Sequence, residues 1–99
     1  MHALFITHRA KPGRRDAVEA VWRRHMRPAI EANPDHLAYI YRFGADPDVI
    51  ADFQVYGVKA AAETFLASEA YRAHEREMSD LLDHRPGVTV LDPRWIKPA

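Results

Sequence analysis

Along this 99-residue chain the apolar residues change their spacing in a fixed order, and that order restricts the possible folds more than any single motif. The opening "HALFITHRA" is rich in large β-compatible residues and stops at the turn signal "KPG", so it predicts a strand over about 2–10. In the next stretch, "RRDAVEAVWRRHMRPAIEAN", Val18, Val21, Trp22, His25, Met26, Ala29 and Ile30 recur at helical spacing with arginines opposite. Pro28 lies inside that pattern, removes one backbone donor and crowds a carbonyl, and so predicts a bend or a restart. "HLAYIYRF" and "VIADFQVY" read as two strands joined by "GADPD", a hairpin with a loop of about five residues. Residues 58–83 form a second helical region, as one broken helix or as two helices, with Ser68 as a cap. "RPGVTVLDPRWIK" closes with a short strand after a proline and glycine break.

The order β-α-β-β-α-β predicts an α+β fold of ferredoxin-like type. This is a sandwich with a four-stranded antiparallel sheet and both helical regions on one face, built as a single domain over 1–99. Tyr39, Tyr41 and Phe43 alternate on one side of the second strand, and Val49, Ala51, Phe53 and Val55 on one side of the third. Whichever set lies away from the helices makes a greasy face too large for a monomer, which predicts a homodimer through the sheet face. Fourteen basic residues balance fourteen acidic ones, so no long-range field draws the molecule to nucleic acid or anionic lipid. The longest hydrophobic run is the five residues Leu37 to Tyr41, far short of the roughly 20 that span a bilayer. "MHALFITHRAKPG" holds only a four-residue apolar run where a signal peptide carries about 7 to 15, which points to the cytoplasm. With no cysteine, disulfides and thiolate chemistry are excluded.

Six histidines invite a metal reading, yet His8, His25, His36, His74 and His84 are scattered singly and no histidine pair stands four apart about a carboxylate, so no metal is expected. Ser68 and Ser79 are the only serines, and neither sits in a nucleophile elbow. The glycines at 13, 44, 57 and 87 are isolated, which leaves no phosphate loop. Arg14, Arg15, Arg23, Arg24 and Arg27 read as a solvated helix face, with Glu19 and Arg23 paired at i,i+4. "IADFQVY" lacks the basic residue, glycine and aromatics that an RNA-recognition strand carries.

What remains is a group of aromatics and histidines on elements that converge. Trp22 and His25 are placed on the inner side of the first helix, Phe65, Tyr71 and His74 in the second helical region, and Tyr56 at the end of the third strand. His74 falls within the apolar stripe of Tyr71, Met78, Leu81 and Leu82. Two readings stand side by side: these residues line an apolar cavity with few polar groups, the usual form of a small-molecule site, or they fill a core in which the imidazole is a hydrogen-bonded spacer. In the first reading an imidazole, with an ordinary pKa near ~6.5, takes a proton from a phenolic or enolic substrate, and the resulting electron-rich anion reacts with dioxygen directly. The protein then supplies a base, a shape and water exclusion, with no metal, flavin or other cofactor.

Three segments carry a resemblance: "AKPGRRDAVEA", "YIYRFGADPDVIADFQVY" and "KAAAETFLASEAYRAHEREMSDLL". In their order and spacing the chain resembles the antibiotic biosynthesis monooxygenase domain, a dimeric α+β barrel, over nearly its full length. The resemblance implies a homodimer with a small hydrophobic pocket in each subunit. It also implies a cofactor-independent monooxygenase-like activity on a small aromatic or quinol-type molecule. The haem-degrading relatives look for an asparagine on strand one, a tryptophan and a later histidine; here Phe65 holds the tryptophan place and Glu75 the histidine place. His74 comes one residue early, a turn of about 100° around the helix, which argues against haem degradation. Other members often carry histidine at 65 and an aromatic at 74, so the polar group has changed sides of the pocket. Under this resemblance His74 is the expected base with His25 in reserve, and Trp22, Tyr56, Phe65 and Tyr71 form the substrate wall. The alternatives are a non-catalytic dimeric small-molecule-binding protein of the same fold, or an isomerase or signal-degrading relative.

Overall fold

A computed structural model describes residues 1–97. The elements are β1 (His2–Arg9), α1 (Arg15–Ala32), β2 (His36–Phe43), β3 (Val49–Tyr56), α2 (Lys59–Leu66), α3 (Glu69–Met78), a 3-10 turn at Ser79–Leu81, and β4 (Gly87–Leu91). The sheet order is β2-β3-β1-β4, with β1 antiparallel to both β3 and β4 and β3 antiparallel to β2. Two strand-helix-strand units are thus interleaved, the ferredoxin-like arrangement that the element order implies.

The second helical region is two helices. Ser68 stands between them in extended conformation, and its Oγ accepts a hydrogen bond from the Tyr71 amide at 3.3 Å, so it starts α3 as its cap. Pro28 neither ends nor restarts α1, which runs continuously from Arg15 to Ala32. Pro28 is exposed, as is Arg24, whose carbonyl it leaves without an intrahelical donor. Gly13, at φ 76°, makes the left-handed turn from β1 into α1, a conformation that costs glycine little.

The hairpin loop is the five residues 44–48, as the turn residues predict. Arg15, counted among the solvated arginines, instead donates to the carbonyls of Gly44 at 3.1 Å and Asp46 at 3.0 Å and covers the Phe43 ring, so it pins the hairpin to the start of α1. Arg23 pairs with Glu19 at 3.3 Å, as its spacing predicts.

Cross-strand register decides which side chains face the helices. Leu4, Ile6 and His8 of β1 share a face with Gln54, Asp52 and Ile50 of β3 and with Tyr39, Tyr41 and Phe43 of β2. Leu4 and Ile6 pack with Met26, Tyr56, Ala62 and Phe65, so this is the helix side. Ala51, Phe53 and Val55 lie on the opposite face with Ala3 and Phe5 of β1, Ile40 of β2 and Leu91 of β4. The open face is therefore apolar, and Ile40 remains 52% exposed on it.

Candidate functional site

The space between helices and sheet holds an uncommon number of polar groups. In β3, Asp52 and Gln54 are 3% and 1% exposed, yet both point toward the helices. Their side chains satisfy one another in a row along the strand. Tyr56 donates its O–H to Gln54 Oε1 at 2.5 Å, and Gln54 Nε2 donates to Asp52 Oδ1 at 2.9 Å. Asp52 Oδ2 then faces His8 Nε2 across to β1 at 3.7 Å. A buried acidic side chain needs hydrogen-bond partners, and Gln54 supplies one to Asp52 while the His8 imidazole stands beside its other oxygen.

Aromatic rings wall the row. A register shift between His36 and Ala38 inserts Leu37 as a bulge, so His36 and Tyr39 both turn to the helix side although they are three residues apart. His36 then sits 4.5 Å from the Tyr56 ring and 4.5 Å from Phe65, edge-on to the latter. Trp22 of α1 stacks on Tyr41 at 4.0 Å and donates its indole N–H to the Tyr39 hydroxyl at 3.2 Å. Burial, reinforced by the Asp52 carboxylate, raises the phenols of Tyr39 and Tyr56 well above their usual range, and Tyr41 is raised by burial, Glu19 and Asp52. Tyr71 is pushed up to about 12, first by burial and then by Glu75 and Asp52. These phenols are O–H donors at neutral pH and not bases.

His74 on α3 is 3% exposed, and its ring lies 6.1 Å from Tyr71. Its pKa falls to about 4, first because burial disfavours the cation and then because His8 and His25 lie close enough to repel it. Among the described residues four buried polar atoms have no hydrogen-bond partner: His8 Nδ1, His36 Nε2, Tyr41 Oη and His74 Nδ1. All four belong to residues of this layer, and native proteins rarely leave such groups unpaired without a reason.

Of the residues expected from sequence, Tyr56 and Phe65 are core members of one cluster, with Trp22 and Tyr71 packed against it. His25 lies apart, at the seam between α1 and α3, where its Nε2 engages the Glu77 carboxylate that Arg24 also binds. Open volume is found on either flank of the packed centre. A cavity of about 420 Å³ lies between α3 and the connection to β4, lined by Tyr71, Glu75, Met78, Leu82, His84 and Arg85 among others. A smaller one of about 180 Å³ sits by the β2 edge against Trp22, Tyr39 and Tyr41. His74, His25, Tyr56 and Phe65 line neither. Among the described residues no three His, Asp or Glu side chains are grouped so as to hold a metal ion, and no helix is long and apolar enough to cross a membrane.

Sequence reasoning passed over His8, Asp52, Gln54 and His36. The signal present was Asp52 and Gln54 at alternate positions of an otherwise apolar strand, but alternation ordinarily sends such residues to water.

No family model matches the chain, and no curated protein matches it. Solved structures do. A Nitrosomonas europaea protein provisionally named as an antibiotic biosynthesis monooxygenase superposes with a TM-score of 0.87 at 12% identity, covering 96% of this chain and 100% of that one. A Caulobacter crescentus protein with the same provisional name gives 0.84 at 17% identity over 93% of this chain and 88% of that one. A Mycobacterium tuberculosis protein gives 0.83 at 24% identity over 93% of each chain. The chain thus has the fold of proteins named antibiotic biosynthesis monooxygenases, over nearly its whole length.

Proposed function

We propose that this protein is a cofactor-independent, monooxygenase-like enzyme acting on a small aromatic or quinol-type substrate, and that it works as a homodimer joined through the open sheet face. The observation that carries the reading is the row of Tyr56, Gln54, Asp52 and His8 buried in an aromatic layer, with imidazole nitrogens that no protein group engages. A neutral imidazole there removes a proton from the substrate, and the buried phenols donate hydrogen bonds to the anion. The anionic carbon bonds to one oxygen atom of dioxygen, the peroxide takes a proton, and loss of water leaves a carbonyl. A ring CH₂ and one O₂ become C=O and H₂O, so the two electron counts match. His74 is the base nominated by sequence, with His25 in reserve and Trp22, Tyr56, Phe65 and Tyr71 as wall.

Oxygen uptake with a panel of hydroquinones and anthrones tests this. Uptake by the wild type that falls at least about tenfold in a variant lacking the interlayer base supports it. His74→Ala is the first variant to compare, and unchanged uptake there removes His74 from the role. The second reading, a dimeric small-molecule-binding protein without chemistry, draws on the packing around His74, which lines neither of the two cavities described above. Saturable binding of aromatics with no oxygen uptake across the panel favours it.

A further inference from the structure

Four imidazoles stand in or beside the interlayer, and their surroundings differ. His36 is half-buried and its Nδ1 meets the Asn33 side-chain amide at 2.9 Å, with no carboxylate at ion-pair distance among the described residues. His74 is buried and faces no carboxylate at ion-pair distance among the described residues. His25 is tied to Glu77 at the exposed helix seam. His8 alone is both buried, at 8% exposure, and directed at a buried carboxylate, while its Nδ1 has no partner. We propose that His8, oriented by Asp52, is the proton-accepting residue of this layer for phenolic or enolic ligands. This deepens the function proposed above and rests on its ligand class.

The chemistry follows from the tautomer. With its Nε2–H turned to Asp52, His8 carries its lone pair on Nδ1, the nitrogen that nothing in the protein engages. When Nδ1 takes the ligand's O–H proton, the bonding pair stays on the ligand oxygen and the new imidazolium stands 3.7 Å from a carboxylate. Both charges form next to an opposite one in a medium of low dielectric, and no oxidant enters the step. Asp52 is a positioning residue, itself held by Gln54, which Tyr56 holds in turn. At His74 the same transfer would leave a buried cation with no carboxylate at ion-pair distance among the described residues; burial first, then His8 and His25, lower its proton affinity by more than Glu77 raises it. The groups facing His8 are thus Asp52 from β3 and His74 from α3.

His8 does not line the larger cavity, and a wall of side chains and backbone separates the two. The residues after His8 are stitched to the cavity wall: Asp83 N–H donates to the Arg9 carbonyl at 2.8 Å, Lys11 N–H to the Leu81 carbonyl at 2.8 Å, and Ala10 bridges Leu82. Met78 and Leu82 line the cavity and also pack with Ile50, the cross-strand partner of His8. A ligand entering from the cavity reaches the base by displacing this wall, for which the flexible Met78 side chain is suited.

The test uses 4-nitrophenol, whose phenolate absorbs in the visible and whose neutral form does not, at a pH where the free dye is largely protonated. Wild-type protein is expected to yield a saturable phenolate band. His8→Asn should lose it on the order of tenfold, and Asp52→Asn should weaken it. An unchanged band in His8→Asn, or no band with the wild type, overturns the proposal. Should His8→Asn fail to fold by circular dichroism, an undiminished band in Asp52→Asn overturns it equally. Imidazole ¹⁵N spectra give a reading without ligand: the Nε2–H tautomer of His8 supports the assignment, and the Nδ1–H tautomer refutes it. Oxygen uptake separates the two proposals. A phenolate band without uptake sinks the oxygenase and leaves the base standing, whereas wild-type uptake in His8→Asn does the reverse.

Discussion

The buried His74 imidazole contributes to the acid response of this protein. His74 is neutral in the fold down to about pH 4, whereas the unfolded chain protonates it near the ordinary 6.5. Between those values the unfolded state binds the extra proton, so stability falls as pH drops through that window and is fully restored above it. The contribution reaches up to about 3 kcal/mol from this group. Urea midpoints measured at pH 7.5 and 4.5 should separate more for the wild type than for His74→Phe, and identical separations would contradict the buried neutral state. Asp52 is a buried acidic side chain that accepts a hydrogen bond from Gln54 and lies 3.7 Å from His8. Asp52→Leu removes the charge but strands the Gln54 amide donor, so it is expected to destabilise by about 1 to 3 kcal/mol in the same assay.

Local chemistry accounts for the ends and the continuity of the helices. Ser68 satisfies one orphan amide of α3, and Ser68→Ala should cost about 1 kcal/mol of stability by urea unfolding. Pro28 acts in the other direction. It sits on the exposed side of an uninterrupted helix, and Pro28→Ala restores a hydrogen bond to the Arg24 carbonyl, for an expected gain of about 1 to 3 kcal/mol. A lower midpoint in that variant would mean the ring has a packing role that its exposure does not suggest. The bend or restart expected at Pro28 fails as a restart because α1 is anchored on both sides of it, by Val18, Val21 and Met26 before and by Ala29 and Ile30 after. Tertiary burial outweighs the loss of one exposed bond.

For the molecule as a whole, the consequential feature is that one sheet face is apolar and uncovered by helices. Phe53, Ala51 and Val55 share it with Phe5, Ile40 and Leu91, and Arg42 lies over the Phe5 ring there. A dimer through this face, as proposed above, would cover the exposed part of it, of which Ile40 at 52% and Leu91 at 39% are the most open members. Light scattering should give twice the chain mass for the wild type and the single mass for Phe53→Glu. A monomeric wild type would remove the dimer from the proposal. On the helix side, Val88 and Val90 of β4 stay 57% and 63% exposed, because the helices cover the other three strands and stop short of the fourth.

The fold was legible because it depends on spacing. Two strand-helix-strand patterns, the "GADPD" turn and a serine at the right place before α3 restrict the chain to one interleaved sheet, and side-chain periodicity reports that directly. The aromatic members of the candidate site were legible for the same reason, since Trp22, Tyr56, Phe65 and Tyr71 lie on helix-facing positions that converge in one cluster. The polar row was not. Alternation states that Asp52 and Gln54 share a face and cannot say which face is inside, and the Leu37 bulge, which turns His36 inward, changes the parity of β2 without a local signature. Only the three-dimensional pairing of His8 with Asp52, distant in sequence and adjacent across two strands, decides which histidine has a carboxylate beside it, because electrostatic partnership depends on distance in space and not on order along the chain.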